Sequence, residues 1–412
     1  MTIADLTLGV MILCIGLGLL LPSVRASSLR FSPFIVLACL MVVSGFAIHM
    51  PSSPFYLPSD GAYYSLWGES IADGWQDGNL DSPQIWPGRG VLPLVIACIE
   101  IVAGSHLFSV ICINSIATVW AFFLLRLTAK TAFCDQRLTW APLLLFVSSL
   151  PIVLFGGGLL REPLFWLGLS LISVSASFWY QSAFPQAFAT LILGSGILLA
   201  FRADLGISLV YVFLATAAAA NIFQNVRLRN FRKSLAVSAS LIGLIVTFPT
   251  VLNLLRPGVG QVALEMSISG LSNSSVATSI ERTSALFQIC ETNFGVRLIC
   301  EATTRMPNTL LGPFPGEVPE TATYLALLAG TIHFIAVAAL AAGAVPMFSR
   351  PSARNTAGLL LVAAGTSLII FSAWLTNYGA IMRFRAVTEI LLLPAAFSAL
   401  EFLASKYKKF RA

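Results

Sequence analysis

Of the chain's 412 residues, 57% are hydrophobic and only 10% are charged, with a mean hydropathy of +0.86. A water-soluble protein carries about 25% charged residues. So large an apolar excess therefore rules out a soluble globular fold and makes lipid the solvent for most of the chain. The net charge of +6 comes from 24 Lys and Arg against 18 Asp and Glu. Many of these cations sit in short loops between apolar runs, and no basic stripe interleaves with exposed aromatics, so nucleic acid is set aside as a partner.

A helix needs about 20 residues to cross the hydrocarbon core. Apolar runs predict about eleven spans, near 6–22, 32–50, 106–126, 138–156, 163–181, 187–201, 206–223, 234–253, 321–345, 357–376 and 385–404. The expected fold is all-α: a polytopic membrane protein forming a single membrane domain over 1–412. The first run carries Asp5 and no Lys or Arg in its first ten residues, so it reads as a span and not as a cleaved signal peptide. The run 91–104 is too short to cross and is interrupted by Glu100. It reads as an interfacial or re-entrant helix, or as the start of a longer tilted span.

Lys and Arg set the orientation. Arg25 and Arg30, then Arg126, Lys130 and Arg137, then Arg227, Arg229, Arg232 and Lys233, then Arg350 and Arg354, then Lys406, Lys408, Lys409 and Arg411 all fall on one side of an eleven-span chain. That parity predicts an N-terminus outside and a C-terminus in the cytoplasm. The outer face then receives two long loops, 51–105 with an interfacial helix and 254–320, and short turns near 156–162, 201–204 and 377–385. Cys14, Cys39, Cys98 and Cys112 lie in apolar runs as small hydrophobes, and Cys134 falls in a cytoplasmic loop. Cys290 and Cys300 share the second outer loop, either as a disulfide or as two thiols.

Ionisable groups at membrane depth are costly, so those at the outer span ends are the candidates for function. Residues 62–72 are amphipathic, a short helix along the membrane surface, and Asp60 stands just before them. Asp60 is either an N-cap or a carboxylate that deprotonates an acceptor hydroxyl or binds a divalent cation. Arg161 and Glu162 either offset each other at a helix start or serve a ligand, and Arg202 and Asp204 either pair locally or do the same. Arg383 and Arg385 are either anchors to lipid head groups or inward-facing cations. Glu389, four residues after Arg385, is expected to pair with it. Trp67, Trp75 and Trp86 suit either the interface or stacking on sugar faces, and His49, His106 and His333 lack metal-ligand spacing. The run Gly156-Gly157-Gly158 follows no strand and is not a nucleotide-binding loop.

Several of these segments together resemble the C-type glycosyltransferase superfamily, multi-span enzymes that take sugars from polyprenyl phosphates. The resemblance rests on Asp60 followed by Tyr63 and Tyr64, on Pro87-Gly88-Arg89-Gly90-Val91-Leu92-Pro93 with the helix that carries Asn114, and on the small-residue turn at 156–164. It continues through 194–202, ending in Arg202, and through Arg383-Phe384-Arg385 ahead of Pro394. It implies a membrane glycosyltransferase for cell-surface polysaccharide assembly, on the outer face of a bacterial cytoplasmic membrane. The donor would be a polyprenyl-linked sugar, the acceptor a glycan or lipid-linked glycan, with membrane lipids around it. Asp60 is then the catalytic base. Arg161, Arg202, Arg383 and Arg385 are expected to bind the donor phosphate, supported by Glu162, Asp204, Tyr63, Tyr64 and Glu389. Many such transferases carry two adjacent acidic residues where this chain has Asp60-Gly61. That favours a lone base over a bound divalent cation. A repeat-unit polymerase and a lipid-linked-glycan flippase or transporter are the alternatives.

Overall fold

The computed structural model describes residues 1–49, 59–78, 90–133, 138–227, 309–312, 321–374 and 378–411. The expected span near 234–253, most of the second long loop with Cys290 and Cys300, and Cys134 and Trp86 lie outside them. Regular structure among the described residues is helical throughout. In chain order the helices are α1 (Ile3–Ala26), α2 (Ser32–His49), α3 (Ser59–Gln76), α4 (Val91–Ala103), α5 (Leu107–Ala132), α6 (Ala141–Val147), α7 (Leu150–Phe155), α8 (Glu162–Tyr180), α9 (Phe184–Arg227), α10 (Thr321–Ala344), α11 (Pro351–Trp374) and α12 (Tyr378–Arg411). Seven helical stretches among the described residues are long and apolar enough to cross a membrane: α1, α2, α5, α8, the first part of α9, α10 and α12. The chain is an all-α polytopic membrane protein.

The expected span 138–156 is two short helices, α6 and α7, meeting at Ser148 and Ser149. Pro151 explains the break, because its ring nitrogen cannot donate and the ring crowds the preceding turn. The expected pair 187–201 and 206–223 is one stretch, α9, broken at Arg202, whose φ of −148° and ψ of 72° are not helical. The backbone folds back sharply there: a Cβ on Gly206 would lie 2.8 Å from the Leu198 carbonyl carbon. The expected span 357–376 falls on α11.

Burial separates two layers. The apolar windows of α5, α8 and α12 are 78%, 72% and 83% buried, against 22% for α1 and for the first part of α9. The inner three pack on one another, and Phe122 of α5 meets Phe34, Phe146 and Phe397 at centroid distances of 5.5, 5.0 and 5.9 Å. Between α8 and α9 the backbones touch, since a Cβ on Gly194 would sit 2.8 Å from the Gly168 carbonyl oxygen. Small residues permit such approach in lipid, where helix association depends on packing.

The bundle has two chemically different ends. At one, Lys130 donates to the Ser27 carbonyl at 2.5 Å, Gln181 to the Thr131 carbonyl at 2.6 Å, and Phe133 stacks on Phe348 at 4.6 Å. The Leu138 N–H donates to Glu401 at the same end. Clefts there are bordered by Arg30 and Arg126, and by Lys130 and Arg350. Basic residues assigned to one side by parity are thus neighbours. At the other end, Asp5 of α1 is fully buried and accepts from the Phe108 and Ser109 N–H groups at 3.1 and 2.9 Å. A carboxylate from one helix caps the free amides of another.

Candidate functional site

The end away from the basic loops gathers residues from α2, α3, α5, α8, α9 and α12. Its frame is the 156–161 turn between α7 and α8. Asn114 donates to the carbonyls of Gly158 and Leu160 at 2.5 and 2.8 Å, and Thr118 to that of Gly156 at 2.8 Å. His49, at the end of α2, accepts the Leu159 N–H at 2.7 Å. The glycines are needed because the turn lies directly on α2. A Cβ on Gly157 would fall 1.8 Å from the Met41 carbonyl oxygen, and one on Gly45 would fall 2.3 Å from that of Gly157. Sequence reasoning set His49 aside for lacking metal spacing, and only the fold shows its part in holding this turn.

Held this way, the turn delivers Arg161 and Glu162 to the N-terminus of α8, where both are buried. Glu162 faces two arginines from other helices. Its Oε1 lies 3.5 Å from the Arg202 guanidinium and 3.8 Å from that of Arg383, and its Oε2 has no hydrogen-bond partner among the described residues. Arg161 donates to the Phe201 carbonyl at 3.4 Å, in the turn before the α9 break. The guanidiniums of Arg202 on α9 and Arg383 on α12 therefore meet one carboxylate at the N-terminus of α8, with Arg161 at the N-cap beside it. Each also lies over an aromatic ring: Arg161 over Tyr64 at 5.9 Å, Arg202 over Phe384 at 5.5 Å and Arg383 over Phe155 at 5.6 Å. Such rings orient a cation by the attraction between its charge and the ring face.

Arg202 pairs with Glu162, and the expected local Arg202–Asp204 pair falls on a side chain, that of Asp204, outside those described. Tyr64 joins the cluster through Arg161, whereas Tyr63 is 60% exposed and packs on Tyr64 and Trp67. The surface helix is longer than its amphipathic stretch, and Asp60 lies in its first turn, not ahead of it. Asp60's side chain lies outside those described. Its backbone is close to the site, because a Cβ on the next residue, Gly61, would meet the His49 ring at 2.6 Å and Leu159 at 3.4 Å. Tyr64 follows Asp60 by one helical turn.

Arg385, expected as a fourth phosphate ligand, makes three hydrogen bonds to other parts of the chain. It is 2% exposed and donates to the Thr309 carbonyl at 2.7 Å, the Thr331 hydroxyl at 2.6 Å and the Gly312 carbonyl at 2.8 Å. These bonds fasten α12 to α10 and to residues 309–312. Glu389 is 1% exposed and accepts from Ser149 at the α6–α7 break, with the charge of Arg385 acting on it. It supports that break, not the arginine cluster. No group of three or more His, Cys, Asp or Glu among the described residues is arranged to hold a metal ion.

Compared with protein-family models, with curated proteins and with solved structures, the chain matches none.

Proposed function

We propose that the arginine cluster binds the phosphate of a polyprenyl-linked sugar and that the chain is a membrane glycosyltransferase. In this reading an eleven-span chain turns the cluster to the outer face of a bacterial cytoplasmic membrane, with the basic end in the cytoplasm. The observation that carries it is the convergence of Arg161, Arg202 and Arg383, from three helices, on the N-terminus of α8. Guanidiniums grip phosphate oxygens bidentately, and a helix N-terminus adds free backbone N–H groups, so this grouping suits a phosphate. A polyprenyl phosphate keeps its head group at the interface and its chain in lipid, which matches the placement.

The chemistry follows from the charges. An acceptor hydroxyl attacks the anomeric carbon, and the bond to the phosphate oxygen breaks with its electron pair going to the phosphate. Fixed guanidiniums stabilise that developing charge more than they stabilise the bound donor, which lowers the barrier. Asp60, one turn from Tyr64, takes the hydroxyl proton. A single sugar transfer and the joining of repeat units both use these groups.

The test is donor capture by the purified chain in nanodiscs, using a radiolabelled polyprenyl-diphosphate sugar. Arg202→Ala and Arg383→Ala should each weaken capture by about 10- to 100-fold, the loss of one charged hydrogen-bonding partner. Asp60→Asn should keep capture and abolish transfer. Full capture by the Arg202→Ala, Arg383→Ala double variant would remove the phosphate site. The broken α6–α7 helix beside buried Glu389 favours a second reading, a lipid-linked-glycan flippase. Translocation in vesicles that Glu389→Gln stops, without any glycosyl transfer, would establish it instead.

A further inference from the structure

Among the described residues, a second set of chemistry-bearing side chains meets at the same end of the bundle as the arginine cluster. The α4–α5 junction turns tightly at Gly104, whose φ of +62° is left-handed and whose N–H donates to the Glu100 carbonyl at 2.7 Å. The turn sets the Glu100 side chain beside the ring of His106, and Glu100 Oε2 lies 2.6 Å from His106 Nδ1. The other ring nitrogen, Nε2, lies 2.6 Å from the hydroxyl of Ser65 on α3. His106 occupies the N-cap position of α5, yet its side chain does not cap the helix. Both ring nitrogens are thus committed to Glu100 and Ser65.

The proton order follows from the acceptors. An ionised carboxylate only accepts, so Glu100 fixes the proton on Nδ1 and leaves Nε2 to accept from Ser65. Glu69, one turn along α3, is a rival acceptor for that hydroxyl at 3.1 Å, a longer contact than the one to His106. The junction is also braced. Thr2 donates to the Ala103 carbonyl at 2.6 Å, and Asp5 accepts from Ser105 at 3.2 Å and from the amides of Phe108 and Ser109. A hydroxyl, an imidazole and a carboxylate in series, on a rigid turn, are the parts of an activated serine.

Its surroundings indicate the substrate class. His106 is 6% exposed while Ser65 is half-buried, so the hydroxyl is reachable and the base is sheltered. Beside Ser65 and Glu100 in the chain stand Leu66 and Val102, 65% and 75% exposed. Apolar exposure around a nucleophile on a surface helix suits a lipid-like ester lying in the membrane interface.

We propose that Ser65, His106 and Glu100 form an acyl-transfer site for a carboxylic ester at the membrane surface, separate from the arginine cluster. Ser65 Oγ attacks the ester carbonyl carbon as its proton passes to His106 Nε2. The tetrahedral adduct collapses, the bond to the leaving oxygen breaks, and that oxygen takes the proton from His106. Water or an acceptor hydroxyl then gives its proton to His106 and attacks the acyl carbon, the bond from that carbon to Ser65 Oγ breaks to release the acid or new ester, and Oγ takes the proton back from His106. Glu100 is the positioning residue. The proposal does not rest on the sugar-transfer reading, and neither outcome of the donor-capture experiment bears on it.

The experiment uses the full chain, purified in nanodiscs and shown monodisperse, reacted with a fluorophosphonate probe and then with p-nitrophenyl octanoate. The expected result is one probe per chain, located on Ser65 by mass spectrometry and blocked by prior incubation with the ester. His106→Ala should slow labelling by about a hundredfold, the usual worth of a general base. Glu100→Gln should slow it by at least about tenfold and change its pH profile, which a merely structural carboxylate would not do. Glu69→Gln should label at least as fast as the native chain. No labelling of the monodisperse native chain, or labelling on another residue, would overturn the proposal.

Discussion

Arg385 separates a structural arginine from a ligand-binding one, and removing it gives a result with a definite size. Its three donors meet the Thr309 and Gly312 carbonyls and the Thr331 hydroxyl at 2.6–2.8 Å, and the side chain is 2% exposed. A hydrogen bond from a charged donor contributes about 1.5–3 kcal/mol, so three dry acceptors set an upper bound of about 5–9 kcal/mol for Arg385→Ala. Thr331 keeps its own bonds to the Gly312 and Leu327 carbonyls at 2.5 and 3.0 Å, which limits the damage. The expected destabilisation is therefore about 3–5 kcal/mol, the usual cost of breaking one side of a buried charged network. Unfolding by SDS in mixed micelles measures it. The folded fraction should still capture the lipid-linked donor within about twofold of the native chain, a difference under 0.5 kcal/mol. An unchanged unfolding midpoint together with lost donor capture would refute this assignment and return Arg385 to the anion site.

Glu162→Gln removes the carboxylate that faces Arg202 and Arg383. If a phosphate occupies the cluster, the change should tighten donor capture by about 1 kcal/mol, roughly fivefold, because a like charge has gone; weaker capture would show that Glu162 orders the guanidiniums. Gly157→Ala places a methyl 1.8 Å from the Met41 carbonyl oxygen, which no rotamer relieves. It should lower stability by about 1–3 kcal/mol or more, read as an earlier SDS unfolding midpoint, whereas Gly196→Ala, whose new methyl meets nothing within 4 Å, should not.

Hydropathy was enough to read the class of fold, because a span must be continuous, apolar and about 20 residues long. The positions of Lys and Arg were enough to separate residues at one end of the bundle from those at the other. Lys130 and Arg350 do border one cleft, while Arg161, Arg202 and Arg383 meet at the far end. Which arginine of a near pair faces inward was not legible. Residues 383 and 385 are two apart on α12 and so stand about 200° apart around its axis. One turns to Glu162 and the other to Thr331, and nothing in Arg-Phe-Arg distinguishes them. The α6–α7 break was hidden because its flanks are apolar, although Pro151 marked it. Ser65 and His106 are 41 residues apart, and their contact exists only because α4 folds back between them.

The bare contact between Gly168 and Gly194 bears on how the arginine cluster can move. Two backbones pressed together with no side chain between them have no slack to slide, so α8 and the first part of α9 travel as one body. Arg161 and Glu162 stand at the open end of one arm and Arg202 at the open end of the other, side by side, so the hairpin holds their mutual spacing. Arg383 belongs to α12, whose ties run to α10 and residues 309–312. In the proposed reading, adjustment of the cluster to a head group therefore falls to the Arg383 side chain, the one arginine of the three that is not carried by the hairpin.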